Sequence, residues 1–166
     1  DDIKNNETDD EDDRQKIAHA INNLDPYKFE LFCRALVNRM HVEMSDKIGV
    51  KKSNDGGLDG YGYITTDDFR TTRVAIQAKH WNGSLVQAPE IDKFRGAMDS
   101  YRAEYGIFIT TSGFTRGAIK KARTGTRVIT LIDGDRLVDL VIKYQLHVKK
   151  VVKVSYELDD FLSSNE

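Results

Sequence analysis

Gln77 and Lys79 stand in the run RVAIQAKHW, residues 73–81, between Val74, Ile76 and Ala78. Strand side chains alternate, so a strand here puts Gln77 and Lys79 on one face and the apolar residues on the other. Asp59 lies upstream in GGLDGYG, among glycines that let backbone or ligand approach closely. If segments 58–65 and 73–80 pair as a hairpin, Asp59 falls opposite residues 77–79. A carboxylate, an amide oxygen and an ammonium then converge. That set suits a hard divalent cation and an attacking water: Asp59 offers an anionic oxygen, Gln77 a neutral one, and waters and a substrate phosphate complete the shell of Mg²⁺. Lys79 can orient or activate the water and offset charge developing on the phosphate. The alternative is a strand with one solvated face, on which Gln77 and Lys79 simply meet water and Asp59 is a turn residue; the same alternation describes it.

The elements that must position these residues follow from pattern and punctuation. A short amphipathic helix over about 14–24 carries Ile17, Ile21 and Leu24 on one side. Asp25-Pro26 opens a second helix, Asp25 as its cap and Pro26 in the first turn, with apolar residues at 29, 32, 36, 37 and 40. A weak strand at about 46–53, a tight turn at Asp55-Gly56-Gly57, and strands at 58–65 and 73–80 joined by the polar loop TTDDFRTT come next. Helical spacing returns at about 88–103, followed by a buried strand at 105–112 and a helix at 115–124. A strand at 127–132 and a helix at 134–145 opened by Asp133-Gly134 complete the alternation. The tail VKKVVKVSYEL reads as an edge strand, paired within the chain or swapped onto a neighbour. The fold class expected is α/β, a mixed central sheet flanked by helices on both faces, antiparallel in the hairpin region and parallel after it.

The formal net charge of -2 conceals an asymmetry. Residues 1–13 hold 8 acidic and 1 basic side chain and residues 157–166 hold 4 acidic and none basic, leaving 15 acidic against 24 basic between them, a balance of +9. A cationic body suits a polyanionic partner, whose counterions it displaces, and equally describes a solvated mixed surface. The expected division is an acidic disordered tail or linker at 1–13, a catalytic domain at 14–147 and a C-terminal extension at 148–166. No apolar run reaches a membrane span and no signal pattern opens the chain, so a cytoplasmic protein is expected. The chain opens on Asp rather than Met, and a preceding segment is expected. Cys33, the single cysteine, sits among Phe32, Leu36 and Val37 as a small buried hydrophobe.

SNDGGLDGYGYI followed by VAIQAKHW resembles the PD-(D/E)XK nuclease superfamily, and within it the Mrr-like restriction endonuclease catalytic domain with its QxK lysine motif. Phe29-Glu30, YGIFITTSGFTRGA at 105–118 and LIDGDRLVDLV at 131–141 extend the likeness across about 25–145. The resemblance implies a restriction-endonuclease-like core and a Mg²⁺-dependent, Mn²⁺-tolerant DNA endonuclease of a prokaryotic restriction system. That system attacks foreign or modified DNA at the nucleoid, leaving 5′-phosphate and 3′-hydroxyl ends. It assigns Asp59 as the metal-binding aspartate, Gln77 as the variant of the usual acidic residue, Lys79 as the catalytic lysine and Glu30 as the helix glutamate that completes many such sites. Gln77 in place of Asp or Glu removes a negative charge, which weakens Mg²⁺ binding and makes Glu30 or a substrate phosphate more important. A homodimer and a separate N-terminal DNA-reading domain are the implied partners. A structure-selective repair nuclease and a silent DNA-binding module are the alternatives on the same fold.

Two further features bear on DNA. Thr110, Thr111, Ser112 and Gly113 lie where a strand meets a helix N-terminus, a place to hold a phosphate, although a cap by Ser112 explains the same residues. Lys120, Lys121, Arg123 and Arg127 form a basic cluster that either contacts DNA backbone or complements the helix C-terminus. His19, His41, His80 and His147 show no ligand spacing, so no zinc site is expected.

Overall fold

The computed structural model describes residues 2–44, 51–52 and 58–164. Helices α1 (Asp2–Asn22) and α2 (Pro26–Arg39) lead into strands β1 (Lys51–Lys52), β2 (Leu58–Thr66) and β3 (Arg70–Lys79). Helix α3 (Ala88–Tyr101), β4 (Tyr105–Thr110), α4 (Arg116–Arg123), β5 (Ile129–Ile132), α5 (Gly134–Tyr144) and the short α6 (Asp160–Ser163) follow. The five strands lie in sequence order; β1, β2 and β3 pair antiparallel, and β3, β4 and β5 parallel. This is the mixed sheet expected, with helices on both faces.

Parity along β3 sorts the core into two layers. Val74, Ile76 and Ala78 face α1, α2 and α5, packing with Phe29, Leu36, Val37, Leu137 and Val141. Ala75 faces α3 and α4, where Ile91, Phe94, Met98, Phe108, Ala118 and Ala122 are buried. Full burial of a Phe or Met side chain contributes about 1.5–3 kcal/mol, so these rings anchor α3 over the face that carries Gln77 and Lys79. Gly106 on β4 makes the close fit: a Cβ there would stand 2.6 Å from Met98 Sδ and 2.8 Å from Phe94 Cε1.

The caps agree with the pattern at two helices and differ at a third. Asp25 accepts from the Lys28 N–H with Pro26 at the first position, and Asp133 accepts from the Arg136 N–H. Helix α4 is capped by Thr115, which accepts from the Ala118 N–H, rather than by Ser112; the Ser112 hydroxyl instead donates to the Ser84 carbonyl at 2.6 Å.

Other elements differ from the expected pattern or lie outside the described residues. Helix α1 runs back to Asp2, through the acidic stretch read as a disordered tail; negative charge at a helix N-terminus is favoured by the macrodipole. Of the strand at 46–53 only Lys51–Lys52 is described, and the turn at Asp55-Gly56-Gly57 lies outside the described residues. The polar loop is only Asp67–Phe69, because Thr65, Thr66, Thr71 and Thr72 are β-branched and extend both strands, Thr65 and Thr71 meeting through their hydroxyls at 3.2 Å. The tail forms no strand: residues 149–158 are exposed and lie outside every helix and strand.

Candidate active site

Asp59 and Gln77 are directly opposed in the β2–β3 ladder. Opposed residues have Cβ atoms about 4.5–5.5 Å apart on one face of the sheet. Lys79, two residues further along β3, shares that face and lies level with Thr110 on β4. The convergence expected from alternation and hairpin pairing is therefore present.

Helix α3 returns over this face and contacts both charged members. At its last turn the Tyr101 hydroxyl donates to Asp59 Oδ1 at 3.0 Å. Its ring lies 5.1 Å from that of Tyr61, and the Arg73 guanidinium stands 5.1 Å over Tyr61 while donating to the Tyr101 carbonyl at 2.5 Å. Burial, and then the negative Asp59, push the Tyr101 hydroxyl up to about 12, so it remains a donor. At the first turn Glu90 Oε2 accepts from Lys79 Nζ at 2.7 Å, with side chains 19% and 15% exposed. The hydrogen bond from Lys79 is the chief cause that holds the Glu90 carboxyl below its ordinary range; burial opposes it and Lys93, 3.1 Å away, assists. Lys79 Nζ also lies 4.8 Å over the Trp81 ring.

Glu90 and Tyr101 are the residues that sequence reasoning missed. The helix was legible in its spacing; what was not used is that a crossover helix packs back onto the strand it follows, which brings its first turn to the end of that strand. Glu30, expected as the fourth member, is placed elsewhere. It lies on α2, which packs on the opposite layer through Phe29 and Phe32, and its carboxylate holds Arg34 at 2.9 Å. No hydrogen bond or ion pair joins it to Asp59, Gln77 or Lys79 among the described residues. The acidic group at Lys79 is Glu90.

Lys120, Lys121 and Arg123 occupy the exposed last turn of α4. Lys121 pairs with Asp92 at 3.2 Å, and Arg127 is held by the Ala103 carbonyl and Asp99. The helix C-terminus is served by Arg95, which donates to the carbonyls of Lys121, Ala122 and Thr124.

The donor set fits a hard cation better than a soft one. Among the described residues no three His, Cys, Asp or Glu side chains are grouped to hold a metal. Tyr101 engages only one carboxylate oxygen of Asp59, and the Gln77 side chain makes no hydrogen bond among the described residues. Two protein oxygens with waters and substrate oxygens is the usual dress of Mg²⁺. The Cys33 thiol, fully buried and pushed up by burial and then by Glu30, is no ligand.

Comparison with known proteins gives the same direction. The Mrr catalytic-domain family, described as a restriction endonuclease, matches residues 21–141. The type IV methyl-directed restriction enzyme EcoKMrr of Escherichia coli strain K12 is 35% identical over 144 residues, covering 84% of this chain and 45% of that protein. The chain thus spans less than half the length of that relative. Among solved structures, the DNA modification-dependent restriction endonuclease AspBHI matches with a TM-score of 0.61 at 18% identity, over 81% of this chain and 36% of its own. The MspJI restriction endonuclease in complex with a 27-mer oligonucleotide matches with a TM-score of 0.52 at 20% identity, over 80% and 31%. These two likenesses establish the restriction-endonuclease fold. The chain belongs to the Mrr-type restriction endonuclease catalytic-domain family.

Proposed function

We propose that this chain is a metal-dependent DNA endonuclease domain that cuts foreign or modified DNA, with Asp59, Gln77 and Lys79 as its catalytic set. The observation that supports it most is the register: Asp59 opposite Gln77, with Lys79 next on the same face under α3. Asp59 and Gln77 would hold Mg²⁺, or Mn²⁺ in its place. When bound, the ion supplies Lewis acidity at the phosphate and acidifies the attacking water. Lys79 orients that water by hydrogen bonding and sets its positive charge against the non-bridging oxygens as negative charge builds on them. The water oxygen attacks phosphorus in line, the bond to the 3′-oxygen breaks, and that oxygen takes up a proton. The products carry 5′-phosphate and 3′-hydroxyl ends.

Tyr101 fixes Asp59, leaving its other oxygen for the ion, and Glu90 holds Lys79 in the site. Lys120, Lys121, Arg123 and Ser112 are the proposed backbone contacts, the three cations presenting exposed charge on α4. The working protein carries an N-terminal DNA-reading domain and acts in the prokaryotic cytoplasm at the nucleoid. Among the described residues no helix is long and apolar enough to cross a membrane.

The test incubates the protein with supercoiled plasmid, methylated and unmethylated, with Mg²⁺, Mn²⁺ or chelator, beside a branched duplex. Metal-dependent nicking or linearisation of plasmid is the expected result. Preference for the branched duplex would instead indicate a structure-selective nuclease. Salt-sensitive binding indifferent to metal, with no cleavage of any substrate, would leave a binding module and overturn the proposal.

A further inference from the structure

Trp81, the chain's single tryptophan, follows Lys79 by two residues, and its ring centroid lies 4.8 Å from Lys79 Nζ. The ring packs in part against the layer of α3 and α4 and remains half-buried. What that layer leaves open borders a cavity of ≈ 300 Å³ lined by His80, Trp81, Asn82 and Ser84. Ligand sites span about 300–1,000 Å³, so this one suits a single ring system rather than a large molecule.

The segment that carries the ring is fixed along its length. The buried Thr111 hydroxyl accepts from the Trp81 N–H at 3.0 Å and donates to the Trp81 carbonyl at 2.8 Å. The Ser84 carbonyl accepts from the Ser112 hydroxyl at 2.6 Å, and Val86 bonds to the Gly113 carbonyl at 2.8 Å and the Thr115 N–H at 2.9 Å. Gly83, at φ +85°, turns the chain between these anchors, with open space where a Cβ would stand. Residues 81–86 thus form a held ledge beyond the carboxyl ends of β3 and β4. These strands are parallel neighbours, and open α/β sheets take their ligands at such ends. Among the other lining residues, His80 is committed to the Asn22 carbonyl at 3.1 Å, while Asn82 and Ser84 are exposed and carry hydrogen-bonding side chains.

We infer that this ledge is a nucleobase site: a base beside the attacked phosphate leaves its stack and lies against Trp81, with Asn82 and Ser84 at its polar edge. The placement rests on the proposed function, because it takes Lys79 as the residue at that phosphate. A phosphate oxygen about 2.8 Å from Lys79 Nζ stands within about 8 Å of the Trp81 ring centroid, inside the reach of its own nucleotide. Bases within a paired duplex are stacked on both faces and offer a protein only their edges. Contact with an aromatic face therefore selects a base that is mismatched, damaged or unpaired, for which unstacking costs least. Every base has a π-face, so the site tolerates any sequence.

The test uses tryptophan emission, which in this chain has a single source. With chelator present to withhold metal, the chain is titrated with a short single-stranded oligodeoxynucleotide and with an abasic strand of equal length. Anisotropy of fluorescein-labelled copies of the two strands measures binding independently. The base-bearing strand should quench Trp81 and bind about tenfold tighter than the abasic strand, which should leave the emission unchanged. Trp81→Ala should bring the base-bearing strand down to the abasic affinity, and Trp81→Phe, which keeps a stacking face, should recover part of the difference. Equal quenching and affinity for the two strands, equal weakening of both by Trp81→Ala, or failure of both to bind would each overturn the base site. Should Trp81→Ala not fold, the comparison of the two strands on wild type decides alone. Plasmid nicking by wild type with Mg²⁺ reports separately on the nuclease reading; nicking without base-dependent quenching removes the base site only.

Discussion

Replacing Glu90 by Gln removes the carboxylate that faces Lys79 and Lys93. Lys93 is 75% exposed, whereas the Lys79 and Glu90 side chains are 15% and 19% exposed, so the effect belongs almost entirely to Lys79. Breaking a fully buried pair costs about 3–5 kcal/mol and an exposed one about 0–1. This pair lies between those limits, and Gln keeps an acceptor oxygen, so Glu90→Gln should destabilise by about 1–3 kcal/mol. In a cycle with Lys79→Met the coupling should be about 1–2 kcal/mol, because the second change removes the stranded ammonium. Urea unfolding followed by far-ultraviolet circular dichroism measures all four proteins. The sign with pH is fixed by the depressed Glu90 carboxyl. Its contribution is complete above the ordinary value of 4.5 and is lost as pH falls through the lower folded value, so the gap between wild type and Glu90→Gln closes below pH 4.5. A coupling of zero at neutral pH, or one that persists unchanged in acid, would refute the reasoning.

Tyr101→Phe removes the hydroxyl that donates to Asp59; it should cost about 1–2 kcal/mol of stability and slow nicking, read by unfolding and by plasmid assay. Because Tyr101 is raised to about 12, its contribution is complete below pH 10 and fades as pH rises through the folded value; an unchanged gap in strong alkali would count against it. Gly106→Ala should destabilise by about 1–3 kcal/mol, since the new methyl meets Met98 and Phe94 in a filled layer; wild-type stability would show that α3 shifts freely. Cys33 should react with a thiol reagent only as fast as the domain opens, and much faster in denaturant; rapid labelling of the native chain would contradict its burial.

Opposition of Asp59 and Gln77 was legible because strand alternation and a hairpin leave little freedom: once the two segments pair, the face is decided. Lys79 follows from the same parity. Glu90 was not legible from its local pattern, because an acidic residue in a first helical turn is equally an answer to the macrodipole. Only the handed return of α3 over β3 makes it a neighbour of Lys79. Glu30 illustrates the reverse, a residue supplied by resemblance whose helix lies across the sheet. Ser112 was the cap expected, but Thr115, whose hydroxyl stands three residues before a free helical N–H, holds that place. The tail carries a strand pattern without a strand, since pairing depends on an edge that the pattern does not specify.

The most direct measurement is the initial rate of plasmid nicking with Mg²⁺ for wild type, Asp59→Ala, Gln77→Ala and Lys79→Ala, with circular dichroism confirming that each is folded. The account predicts metal-dependent nicking by wild type and losses of about 10²-fold or more in Asp59→Ala and Lys79→Ala. Gln77→Ala should be rescued in part by raised Mg²⁺. Cleavage that survives in folded Asp59→Ala and Lys79→Ala would place the chemistry elsewhere and contradict the account.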